Sequence, residues 1–119
     1  MRQQLENRLI QLHVSINKLT KTFDQSLLSQ HISSQIIRSS MSAALNYGEA
    51  QGAESRKDFI HKSSIVLKEL RETHICLKII YDSDITQDKT NLESHLDESN
   101  QLVAIFHKTV TTSKSKSIK

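Results

Sequence analysis

A chain of 119 residues with 36% hydrophobic residues can build one core but not two, and with no proline and two glycines long helices are its economical solution. A single cysteine, Cys76, excludes an intrachain disulfide framework, and no run is long or apolar enough for a membrane span or a signal peptide, so a cytoplasmic setting is expected. The net charge of +3 is local: Lys114, Lys116 and Lys119 hold the whole excess, and residues 1–110 sum to zero.

Leu5, Leu9, Leu12, Ile16, Leu19 and Phe23 alternate spacings of four and three, one apolar stripe of a first helix. Leu28, Ile32, Ile36, Ile37, Met41, Ala44 and Leu45 predict a second, capped from Asp24 to Ser26 and ended by Gly52. Phe59, Ser63, Val66, Leu67, Leu70, Leu77 and Tyr81 predict a third, opened by the capping box Ser55 to Asp58. Leu92, Leu96, Ser99, Val103, Phe106 and Val110 predict a fourth, capped by Asp84 or Thr86. Short connections make neighbours antiparallel, so residues 1–110 are expected to form an all-α, antiparallel up-down-up-down four-helix bundle. Residues 111–119, TTSKSKSIK, are expected to be a disordered basic tail.

Residues 33–52, SSQIIRSSMSAALNYGEAQG, carry more small and polar residues than a buried helix needs. At about 100° per residue, Ser40, Ala44, Gly48 and Gly52 form a small strip suited to close helix approach. Arg38, Ser42, Asn46 and Glu49 form a polar strip beside it. On the third helix Ile65, Cys76 and Ile79 are expected to turn away from the Leu70 core face with Glu72 among them, a pattern that suits a subunit contact. Burial by a loop or by the tail is the other reading of that back face.

Reactive chemistry finds little support. No glutamate has a histidine three residues on, and no two histidines stand four apart, so the bundle metal motifs are missing and no cofactor is expected. Cys76 lies among Ile75, Leu77 and Ile79, a setting that raises a thiol pKa. Phe23, Phe59 and Phe106 stand at stripe positions and read as core rather than as a stacking platform, and His74 reads as a satisfied buried histidine. An enzyme is not expected.

Residues 35–80 resemble the central segment of a bacterial four-helix-bundle family named after proteins encoded in 23S ribosomal RNA intervening sequences. The resemblance is carried by Arg38-Ser39-Ser40, Asn46 with Glu49-Ala50, Ser55 ahead of Asp58-Phe59-Ile60, and the run from Leu67 to Thr73. Relatives include the accessory variability proteins of diversity-generating retroelements. The resemblance implies a homo-oligomer, commonly a ring-like pentamer, and for the retroelement relatives a role in binding nucleic acid and a reverse transcriptase. It also makes Arg38, Asn46, Glu49, Arg71 and Glu72 candidates for one polar network that sets helix register or the subunit contact.

Two functional readings follow. In the first, a non-enzymatic accessory protein binds RNA or DNA through phosphate contacts from Arg2, Arg8, Lys18, Lys21, Lys114, Lys116 and Lys119, multiplied by the ring. In the second, the assembly is a protein scaffold that needs only the back face of the third helix and the small strip of the second.

Overall fold

In the computed structural model, which describes residues 2–118, four helices follow one another: α1 (Arg2–Thr20), α2 (Leu27–Gln51), α3 (Arg56–Ser83) and α4 (Lys89–Ile118). Each packs on its neighbour in sequence, and α4 returns against α1 to close an elongated bundle of 51 × 23 × 19 Å. The stripes explain why. Leu9, Leu12, Ile16 and Leu19 of α1 meet Ile32, Ile36 and Ala43 of α2, Val66, Leu70 and Leu77 of α3, and Leu92, Leu102 and Phe106 of α4 in one core. The Tyr47 and Phe106 rings meet edge to face, with centroids 5.3 Å apart.

Local chemistry sets the helix ends. Ser26 caps α2 by accepting from the Ser29 amide, and Ser55 caps α3 by accepting from the Asp58 amide. The amides of Gly52 and Ala53 turn back to Glu49 and Ala50 at the end of α2. The cap of α4 differs from expectation. Asp88 takes it, its carboxylate accepting from the Asn91 amide, while Asp84 ends α3 in the left-handed region (φ 54°) and Thr86 supports the turn by accepting from the Asp88 amide. The Asp24 amide donating to Ile85 O (2.8 Å) and a Thr22–Thr86 hydroxyl pair (2.6 Å) tie the two turns at this end together.

Two further expectations are corrected. Beyond Val110, α4 continues as helix to Ile118 instead of becoming a disordered tail, because neither proline nor glycine interrupts it and lysines near a helix C-terminus complement its dipole. On α2 the buried face is rotated: Ser29, Ile32, Ile36, Ser39, Ser40, Ala43, Tyr47 and Ala50 are inside, while Met41 and Leu45 are exposed. The strip of small residues is therefore split: Ser40 is buried and Ala44 packs half-buried against the core, whereas Gly48 and Gly52 are exposed, and a Cβ added at Gly48 would meet nothing within 4 Å.

The buried polar residues of α2 have partners instead. Ser39 and Thr73 join α2 to α3 (2.7 Å), and Ser40 and His13 join α2 to α1 (2.8 Å). His74 and Ser99 join α3 to α4 (2.7 Å). Arg8 grips Glu98 through two nitrogens at 2.9 and 2.7 Å, joining α1 to α4. Every seam of the bundle thus carries at least one directional polar contact, which an apolar stripe alone cannot supply. Among the described residues, Ser63 Oγ is the buried side-chain polar atom with no partner.

Candidate nucleic-acid interface

The antiparallel topology brings the start of α1, the α2–α3 turn, the start of α3 and the end of α4 to one end of the bundle. There a groove of about 490 Å³ is lined by Arg2, Ala50, Gln51, Ala53, Ser55, Arg56, Phe59, Ser113 and Lys116. Three cations from three different helices face it, and among the described residues no carboxylate lines it. Its floor is apolar, built from Ala50, Ala53 and the half-buried Phe59. Ser55 Oγ accepts from the Asp58 amide at 3.1 Å, which leaves its hydroxyl hydrogen able to donate. The first backbone N–H groups of α3 add partial positive charge beside Arg56.

The seven basic candidates do not form one surface. Arg2 and Lys116 line this groove, and Lys114 lies about 160° around α4 from Lys116. Arg8 is committed to Glu98, whose hydrogen bond is the main reason its guanidinium pKa is raised. Lys18 and Lys21 stand near the opposite end, about 25 Å along α1 at 1.5 Å per residue, where Lys18 shares a groove with Asp88 and His95. Lys119 lies outside the described residues. Arg56 was missed, because its segment reads from sequence as a cap. The up-down topology was the signal that could have found it, since it seats the starts of α1 and α3 and the end of α4 together.

The proposed polar network also divides. Arg38 bonds Glu69 (2.9 Å) and Glu72, both on α3. Glu49 pairs with Lys62 at 2.7 Å. Asn46 donates to Ser42 within its own helix, and Arg71 turns to His107 of α4 (3.5 Å). Glu69, buried to 6% exposure, is the residue sequence reasoning overlooked. Cys76 is buried rather than turned outward, and burial pushes its thiol up. Ile79 is exposed, Ile65 is half-buried, and the more exposed Ile75 joins them. Ile10 and Val14 of α1 and Met41 and Leu45 of α2 form another set of exposed apolar side chains, level with the His13–Ser40 contact.

Among the described residues no group of three His, Cys, Asp or Glu side chains could hold a metal ion, and no helix is long and apolar enough to cross a membrane.

The model of the family described as 23S rRNA-intervening sequence protein matches residues 3–108. Among solved structures, the chain is similar to a protein of unknown function from the S23 ribosomal protein family of Bacteroides thetaiotaomicron, with a TM-score of 0.75 and 28% identity over 89% of this chain and 97% of that one. No curated protein matches.

Proposed function

The chain belongs to the 23S rRNA-intervening sequence protein family, and from that membership we propose that it acts without catalysis, as a homo-oligomeric accessory protein that holds nucleic acid by its phosphates. The observation that carries this reading is the convergence of Arg2, Arg56 and Lys116 on one groove that, among the described residues, no carboxylate lines. Cations so placed offer charge-assisted hydrogen bonds to phosphate oxygens, which read no base sequence. A ring of five chains repeats the groove and the net charge of +3 five times, and a polymer of phosphates rewards repetition. RNA or DNA is then the ligand, and a reverse transcriptase is the protein partner suggested by the retroelement relatives.

The test is binding of a fluorescent single-stranded oligonucleotide across a salt series. Affinity is expected to fall with a log–log slope of roughly −0.7 per phosphate contact. Arg56→Glu is expected to weaken binding at least about tenfold, by loss of charge-assisted bonds and added repulsion. Binding that is insensitive to salt, or absent at low salt, overturns the reading.

The exposed apolar side chains favour a second reading, in which the assembly is a scaffold for another protein. Ile75 is 54% exposed, Leu45 60% and Met41 44%, more large apolar surface than a solitary bundle needs to present. Under that reading the assembly forms but carries no nucleic acid at any salt concentration.

A further inference from the structure

We propose that the groove at the α2–α3 end takes the phosphate-terminated end of a single nucleic-acid strand, its terminal phosphomonoester held by Arg2, Arg56 and Lys116 and its last base laid on Phe59. The proposal rests on the phosphate-binding reading above and narrows it from any stretch of backbone to a strand end.

The disposition of charge distinguishes the two. A surface that tracks a backbone lays its cations in a row, one phosphate after another. Along the flanks of this bundle four cations among the described residues are engaged in ion pairs, Arg8 with Glu98, Arg38 with Glu69 and Glu72, Lys62 with Glu49, and Lys89 with Asp84, and the others are spread around the helices rather than gathered. Arg2, Arg56 and Lys116, which form no ion pair among the described residues, converge on a single space. A diester phosphate brings one negative charge to such a space, whereas a terminal phosphomonoester brings about 1.5 to 2 at neutral pH and three acceptor oxygens. Two guanidinium forks, one ammonium and the Ser55 hydroxyl match that richer acceptor set.

The floor supplies the second half of the argument. Inorganic phosphate would leave Ala53 and the Phe59 ring uncovered, while a nucleotide places a base face against them. The volume of about 490 Å³ is in the range of sites for single small ligands and too small for a duplex. The groove is open, so the remainder of the strand can leave over the bundle surface.

The experiment uses the full chain and one internally labelled single-stranded oligonucleotide in three forms: with a 5′-phosphate, with a 3′-phosphate and with neither. Fluorescence anisotropy at fixed salt is expected to show one phosphorylated form binding about ten- to a hundredfold tighter than the unphosphorylated strand, the size of charge-assisted bonds to an extra charge. Arg56→Gln and Lys116→Gln, both at exposed positions, are expected to erase that preference. Phe59→Leu keeps an apolar floor without an aromatic face and is expected to weaken the preferred form several-fold. Equal affinity for all three forms overturns the strand-end proposal while leaving backbone binding intact. No binding of any form at low salt overturns both, and a preference that survives Phe59→Leu undiminished overturns the base placement.

Discussion

At the scale of single residues, most polar side chains that enter the core do so in pairs. Glu69 is nearly buried and depends on Arg38, whose own side chain is half exposed. Removing Arg38 strands a carboxylate with little solvent, so Arg38→Ala should cost about 2 kcal/mol, between an exposed pair and a fully buried one because the arginine is partly hydrated. The urea midpoint measures this, and Arg38→Ala combined with Glu69→Leu should recover much of it. His13, His74 and His95 are each held below the ordinary 6.5, chiefly because burial disfavours the charged ring. Between those lowered values and pH 6.5 the unfolded chain binds protons that the folded chain refuses, so stability rises with pH through that window. The full contribution is present above about pH 6.5 and is lost as pH falls. Urea midpoints measured at pH 7.5 and at pH 5.5 should therefore differ, and His13→Gln with His74→Gln should narrow the gap.

At the scale of elements, α2, α3 and α4 each start where a side-chain oxygen can take an early amide proton. Asp88 does so for α4 and Ser55 for α3, and replacing either with alanine should cost about 1 kcal/mol in chemical denaturation. The two caps make a comparison, since only Ser55 is in the groove: Ser55→Ala should also weaken phosphate binding, whereas Asp88→Ala at the far end should not. Helix existence and order were legible in the stripes, and the α1 stripe is inside from Leu9 to Leu19. The rotation of α2 was not. Its apolar residues straddle two faces, so Met41 and Leu45 compete with Ser39 and Ser40 for the core on hydrophobicity alone. The serines take it because Thr73 and His13 stand opposite them as hydrogen-bond partners.

At the scale of the molecule, the two ends of the bundle differ. One gathers Arg2, Arg56 and Lys116, and the other lines a groove with Asp24, Asp84 and Asp88. Between them lie the exposed apolar side chains that the proposed self-assembly would cover. Ile79→Asp places a charge on the α3 set and Leu45→Asp on the α2 set. If the proposed assembly forms through one of these sets, light scattering of the corresponding variant should show conversion to a smaller species. A native mass unchanged in both would remove these surfaces from the assembly. Nucleic acid bound by the unaltered protein but lost in a variant of smaller mass would tie affinity to multivalency rather than to any one groove.

Periodicity and punctuation in the sequence determined the four helices, their order and their antiparallel pairing, because the apolar spacing of a helix and the chemistry of its ends are local properties. The family came within reach separately, through the resemblance carried by particular residues of the central segment. Only the tertiary structure decided which cations stand together. Residues 2, 56 and 116 share a groove because successive helices run up and down, bringing the starts of α1 and α3 and the end of α4 together, whereas Arg8, equally basic in the sequence, is bound to Glu98 ninety positions away. A charge acquires its role from its neighbours in space, and in this bundle those neighbours lie on other helices.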